Sequence, residues 1–586
     1  MTYPPPMPLP VTARRILRLV PQYALLVTVT LLLGVFLLYP IFLTVRGAFV
    51  TATPEGEKYT FDHLALIFAD PAARAGLYNS LRIAAGTTIL ALVIAMPLAV
   101  LSTQFRFPGK AFFNAMILVP LILPPFVGAI GVRAILGREG AINALLGTEF
   151  DVLGSAKYWG VIAVQALSLY PIIFLNTSAA LANLDPALDE AAKSLGASWW
   201  RRFTRVTLPL IRPGVFAGAT IVFIWSFTEL GTPLMFDYTT VAPVQIFYGL
   251  KEVETSAAPY ALTVVLLTGA VALYLLGKVV FGRKGYAMYA KASRAGSETV
   301  LAGWRGALVT AAFGLIGLLA LLPHVGVVLT SLTSPGQWYS TLLPTSFTVE
   351  HYRQALTTGD SFGAIVNSLK LAACAMLVDI VIGIVVAYVI VRTQARGRSL
   401  VDALCMLPLA VPGLVMAFGY VAMSLRWPFG KDGPLSGVAS IFGAVPAPFL
   451  FLVVAYSVRR LPYIVRSTIA GLEQTSGELE EAAMIHGASR FTAVRKIILP
   501  LIAANLVAGG LLVFSFSMLE VSDSLLLAQQ TKDYPITKAI FAFTERLGDG
   551  LYIASALGVW AMALLTVTLF GASALLGKKL GAIFRV

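Results

Sequence analysis

The chain has 586 residues, of which 58% are hydrophobic and only 12% are Asp, Glu, Lys or Arg, with a mean hydropathy of +0.82. A soluble protein carries about 25% charged residues, so this length cannot represent several water-soluble domains, and so apolar a chain is not intrinsically disordered. A polytopic membrane protein remains, and the formal charge of +14 has its economical cause in cytoplasmic Lys and Arg rather than in nucleic-acid binding.

The chain opens on a segment, 1–22, with five prolines up to Pro10 and then Arg14, Arg15 and Arg18. The apolar run that follows is too long for a signal-peptide core and reads as an uncleaved first span. A transmembrane helix needs about 20 apolar residues. Stretches of that kind lie near 23–45, 79–102, 112–136, 158–181, 207–230 and 258–280, and again near 307–330, 367–391, 400–424, 438–458, 499–526 and 551–577. The expected fold is all-α, with about twelve transmembrane helices. Placing the N-terminus inside puts most of the 43 basic residues on the cytoplasmic side, including the short-loop groups Arg201, Arg202 and Arg205, Arg392, Arg396 and Arg398, and Arg459, Arg460 and Arg466. Both termini are then cytoplasmic. Cys374 and Cys405 sit in apolar runs without metal-type spacing and read as small hydrophobes.

Two segments repeat without a gap: EAAKSLGASWWRRFTRVTLPLI from Glu190 and EAAMIHGASRFTAVRKIILPLI from Glu481, an offset of 291. The match carries on through Phe223, Ser226 and Glu229 to Phe514, Ser517 and Glu520. At an offset of 288, Asn79-Ser80 matches Asn367-Ser368, and Pro120, Pro124 and Gly131 match Pro408, Pro412 and Gly419. Both copies of the loop fall between the fourth and fifth spans of their half, so the two six-helix halves are parallel repeats. The expected organisation is a cytoplasmic tail 1–22, a first half 23–280, a cytoplasmic connector 281–306 and a second half 307–586.

Local chemistry gives the repeated loop a shape. In the first copy Asp185-Pro186 opens a helix, with Pro at its first position. In the second, Thr475 and Glu478 have capping-box spacing. Gly196 and Gly487 then permit a left-handed turn, and Ser198 and Ser489 cap a second helix leading to Pro209 and Pro500. The pattern is a packed helix–turn–helix at the cytoplasmic face.

The spacing E-A-A, three residues, Gly, nine residues, an aliphatic residue, one more, then Leu-Pro resembles the signature loop of binding-protein-dependent ABC importer permeases. Both copies fit, with Val206 and Ile497 at the aliphatic place. The overall plan is most similar to fused two-half permeases for ferric iron, with relatives for thiamine and phosphonates. The resemblance implies that the loops are coupling helices docking on two ATPase subunits, through Glu190, Ala191, Ala192 and Gly196 and through Glu481, Ala482, Ala483 and Gly487. It also implies an extracytoplasmic solute-binding protein and a place in the bacterial inner membrane. No G-x-x-x-x-G-K-S/T loop occurs in the chain, so ATP and its Mg²⁺ are expected on the partner subunits and no enzymatic activity is expected here.

Polar residues within spans mark candidate paths. Glu229 and Glu520 lie some twenty residues beyond each Leu-Pro, roughly 30 Å at the helical rise, with Asp523 and Asp237 further outward. Paired carboxylates suit a cation or ferric complex, or equally an interfacial structural role. Asp379 lies mid-span opposite Ala91 of the first copy and favours a structural hydrogen bond. Arg133 favours snorkelling. His63, His324, His351 and His486 form no metal pattern and favour structural roles. The resemblance implies iron(III) as the expected solute, with thiamine, a polyamine or a phosphonate as alternatives. An ion-coupled secondary transporter would also show twelve spans, but would have no use for two such loops.

Overall fold

The computed structural model describes residues 11–54, 56–121, 124–150, 154, 156–281, 299–443 and 446–576. Most of the expected connector and the basic C-terminal residues Lys578, Lys579 and Arg585 lie outside these. The main helices of the first half are α1 (Pro21–Phe49), α2 (Pro71–Gln104), α3 (Lys110–Met116), α4 (Pro125–Leu136), α5 (Lys157–Ala182), α6 (Pro186–Ser194), α7 (Trp199–Phe227), α8 (Gly231–Met235), α9 (Ala242–Gly249) and α10 (Ala258–Phe281). Those of the second are α11 (Gly303–Leu332), α12 (Gly359–Arg392), α13 (Arg398–Ala410), α14 (Gly413–Ser424), α15 (Phe449–Glu473) and α16 (Glu478–Ile485). They continue as α17 (Arg490–Leu501), α18 (Ala503–Met518), α19 (Ser522–Leu527), α20 (Ile536–Thr544) and α21 (Gly550–Leu576). Strand structure among the described residues is confined to a hairpin, Val50–Thr53 with Gly56–Tyr59, and a parallel pair, Phe105–Arg106 with Thr299–Val300.

Eight helices among the described residues are long and apolar enough to cross a membrane, and eleven spans result if each bent pair counts as one, against the twelve expected. The stretch expected near 438–458 accounts for the difference. Pro446 and Pro448 delay the helix, which starts at Phe449 and runs to Glu473, so Arg459, Arg460 and Arg466 lie inside α15 and not in a cytoplasmic loop. Their charge takes α15 out of the apolar class.

The repeated prolines shape both halves. Pro has no N–H to donate and its ring clashes with the carbonyl four residues back. Pro412 separates α13 from α14 at a bend of 104°, and α3 and α4 form the corresponding bent pair around Pro120 and Pro124. Ahead of Pro209 and Pro500 the helices widen into π turns, Phe203–Thr207 and Val494–Ile498, which accommodate the missing bond. Beyond them the copies diverge. α7 runs on as one helix to Phe227, whereas α17 and α18 meet at 75°.

The first span of each half packs on the other half: α11 lies against α4, and the Tyr39–Phe49 end of α1 against α14. The matched glycines sit at these crossings. A Cβ on Gly131 would stand 2.0 Å from the Pro323 carbonyl oxygen, and one on Gly419 would stand 2.9 Å from that of Pro40. Only small residues let helix backbones approach so closely. The repeated Asn-Ser pairs have a matched task as well. Asn79 donates to Thr240 O at 2.9 Å and Ser80 Oγ accepts from Ala242 N at 3.0 Å, fastening α9 to α2. Asn367 donates to Lys532 O at 2.8 Å and Ser368 Oγ accepts from Ile536 N at 2.8 Å, fastening α20 to α12.

Candidate functional site

The two repeated loops fold as helix–turn–helix units. Asp185 accepts from Ala187 N at 2.9 Å to open α6. α16 is opened differently from the expected capping box: Ser476 Oγ accepts from Glu478 N at 3.2 Å, while Thr475 Oγ1 donates back to Gly471 O and closes α15. Both turns then agree in detail. Gly196 has φ +78° and Gly487 φ +88°. Ala197 N donates to Ala192 O and Ala488 N to Ala483 O, each at 3.1 and 3.0 Å respectively. With the bonds from Gly196 N to Lys193 O and from Gly487 N to Met484 O, this is the Schellman arrangement. Ser198 and Ser489 cap the next helices by accepting from Arg201 N and Thr492 N.

These turns set out a surface. Glu190, Ala191, Gly196, Glu481, Ala482 and Gly487 are exposed, and Ala192 and Ala483 are half-buried. Large apolar side chains stand in solvent beside them: Leu195 is 88% exposed, Ile485 84% and Phe491 73%, with Trp199 and Trp200 also exposed. Exposed clusters of this kind mark an interaction site.

Far from these loops, a cavity of about 240 Å³ lies between the halves. The proline bends, α5, α15 and the ends of α7 and α18 line it, and Glu229, Arg459, Arg460, Tyr463 and Glu520 are its most polar walls. Glu229 and Glu520 thus come together, as their repeat positions imply, but their surroundings differ. Glu520 is 3% exposed and is paired with both Arg459 and Arg460. Arg459 also reaches Asp523, which is fully buried, at 3.5 Å. Arg460 donates in addition to Phe516 O at 3.3 Å. Asp523 stands behind the arginines and does not line the cavity.

The first copy has Ser168 and Leu169 where the second has Arg459 and Arg460, and Thr232 where the second has Asp523. Glu229 accordingly accepts from Thr232 N and Oγ1, both at 3.3 Å, and forms no ion pair among the described residues. The arginine pair was the feature that sequence reasoning missed. Its signal was two adjacent arginines at the edge of an apolar stretch, which positive-inside counting assigned to a loop.

The remaining polar candidates separate from the cavity. Asp237 is exposed and pairs with Lys157 at 3.2 Å. Arg133 is exposed at the end of α4. His351 is buried, hydrogen-bonds Thr333 O at 2.9 Å and stacks on Tyr552, and His63 meets Thr51 Oγ1 at 2.7 Å. Asp379 is fully buried with Ser457 and Arg460 as its polar neighbours, and neither carboxyl oxygen has a partner in good hydrogen-bond geometry among the described residues. A buried polar group without a partner costs about 1–3 kcal/mol. Asp379→Ala, which restores the residue of the first copy, should therefore leave the melting temperature in detergent unchanged or raised. A marked drop in thermal-shift measurements would show that the carboxyl is stabilising.

Comparison with known proteins agrees with this two-half plan. Over 528 residues the chain is 26% identical to a putative ferric transport system permease of Haemophilus influenzae, covering 88% of this chain and 79% of that one. It is 25% identical over 564 residues to a ferric transport system permease of Actinobacillus pleuropneumoniae, covering 93% and 77%. A molybdenum transport system permease of Escherichia coli K12 is 32% identical over 171 residues, covering 29% of this chain and 74% of its own length. The family described as binding-protein-dependent transport system inner membrane component matches twice, at residues 91–286 and 379–580. With one match in each repeat, the chain belongs to that family, as a multi-pass inner-membrane permease carrying two permease halves in one polypeptide.

Proposed function

We propose that this permease is the membrane channel of an ATP-driven importer for iron(III), fed by an extracytoplasmic binding protein and driven by two separate ATPase subunits. The two exposed Schellman-turn loops, in register at an offset of 291, carry the reading, because each offers one docking face. In this reading Glu190, Ala191, Ala192 and Gly196, with Glu481, Ala482, Ala483 and Gly487, contact the ATPases, and both termini are cytoplasmic. ATP-driven approach of the two subunits draws the loops together and rocks the halves to open the outer side. The long-range relatives named for ferric transport favour iron(III).

Within the cavity Glu229 is the carboxylate left for the solute, since Glu520 is held by two arginines. Glu229→Gln should lower iron uptake about tenfold, the order of one hydrogen bond to a charged group, with no change in melting temperature. The test is uptake of radioactive ferric iron into proteoliposomes containing the chain, its ATPase and its binding protein. Unchanged uptake in Glu229→Gln would remove the residue from the path. A second reading follows from the molybdenum permease relative and the arginines in the cavity, which suit an oxyanion. Molybdate uptake in place of iron would establish it.

A further inference from the structure

The two docking loops are attached to the membrane helices by different means. In the first, α6 is joined to α7 by an ion pair inside the loop itself: Arg202 Nε donates to Asp189 Oδ1 at 2.9 Å, and Arg202 Nη1 donates to Ala197 O at 3.3 Å. α7 then continues unbroken to Phe227, beside Glu229. A push on the loop is carried along one rod.

The second loop lacks both parts of that link. Ala493 occupies the place of Arg202, and the helix after the loop is broken by the 75° bend between α17 and α18. Its carboxylate turns elsewhere. Glu480, in the position of Asp189, is only 6% exposed although it lies in a surface loop. Tyr388 Oη donates to Glu480 Oε1 at 2.6 Å, and Arg392 Nε stands 3.9 Å from Oε2. Arg392 also donates through Nη2 to Leu472 O at 3.1 Å and Thr475 O at 2.6 Å, at the C-terminal end of α15. It thus sits between the C-terminal end of α15 and the N-terminal turn of α16, where the helix ends favour a cation and a carboxylate respectively. Tyr388 and Arg392 lie on α12; the matching residues of α2 are Val100 and Gln104, which cannot form this network.

We propose that Glu480, Tyr388 and Arg392 are positioning residues that form a strut from α16 to α12, so that the second docking loop drives α12 where the first drives α7. The proposal rests on the reading that these loops dock ATPase subunits. It predicts an asymmetric transporter in which each half is moved by a different helix.

The test uses the full chain with its ATPase and binding protein in proteoliposomes, and reads solute moved per ATP hydrolysed. Tyr388→Phe removes one hydroxyl, and Glu480→Gln keeps the acceptor oxygen while removing the charge. In both, ATPase subunits should co-purify as with the unaltered chain and hydrolysis should persist, while solute moved per ATP falls about tenfold, the order of losing one hydrogen bond to a buried charge. Asp189→Asn, in the first loop, should lower the ratio no more than about fivefold, the order of losing a half-exposed ion pair, because α7 remains continuous with that loop. An unchanged ratio in both Tyr388→Phe and Glu480→Gln would overturn the strut. So would loss of the ATPase subunits together with transport, which would reduce the network to local support of the loop. Failure of the unaltered chain to bind any ATPase subunit would instead overturn the docking reading, and the strut with it.

Discussion

Arg459→Ala should destabilise the protein more than any other single substitution considered. Its guanidinium lies between Glu520 and Asp523, which are 3% and 0% exposed. Removing it leaves Asp523 without an ion-pair partner among the described residues and Glu520 with Arg460 alone. Breaking a buried ion pair by deleting one partner costs about 3–5 kcal/mol, because the remaining charge stays desolvated. Thermal-shift measurements in detergent should show a loss of that order, together with a low yield of folded protein. Replacing Asp523 by Asn in the same chain should recover part of it, since contacting residues of one network are not additive. A wild-type melting temperature for Arg459→Ala would show that the cluster is solvated and carries no such charge pairing. Glu229→Gln, in the same cavity but without an ion pair, separates the transport effect from the stability effect.

The second large effect is expected at the turns proposed to dock the ATPase subunits. Gly196 and Gly487 hold left-handed φ values of +78° and +88°, and a side chain at either would find open space, with no heavy atom within 4 Å. The cost of substitution is therefore in the backbone, roughly 1–2 kcal/mol for each residue forced into this region. A β-branched residue adds restriction at χ1. The turn can escape this cost only by unwinding, which re-aims Glu190 or Glu481 relative to the following helix. Gly196→Val with Gly487→Val should insert normally and lose about nine-tenths or more of transport, the change expected when ~1.4 kcal/mol is lost from a docking equilibrium. Gly147→Val is the control, since Gly147 has φ +63° with equally open space but belongs to neither repeated loop. Full transport by the double variant, with Gly147→Val behaving identically, would show that the turns have no part in coupling.

Local signals made much of this protein legible in advance. Composition fixes the class because so apolar a chain needs lipid around it. The duplicated loop could be drawn from its residues, since a left-handed turn selects Gly and an N-cap selects Ser or Asp within a few positions. Even there, a near neighbour misled: Ser476 rather than Thr475 receives the first N–H of α16, because Thr475 is already bonded to Gly471 O. The matched prolines and Asn-Ser pairs were visible as repeats, but their tasks, bending α13 from α14 and fastening α9 and α20, were not.

What tertiary structure alone decided is the charge pattern of the interior. Hydropathy counts an arginine as a span end whatever its partner, so Arg459 and Arg460 were placed in a loop, whereas Glu520, about sixty residues away in sequence, pairs with them inside α15. The same holds at the second repeated loop, where Glu480 and Tyr388 meet across 92 residues. Residue type, spacing and duplication act over one or two helical turns, and they determined the class, the two halves and the shape of the repeated loops. Pairing of buried charges is settled by which helices come together. That is why two halves built to one plan differ at Glu229 and Glu520, and again at Asp189 and Glu480.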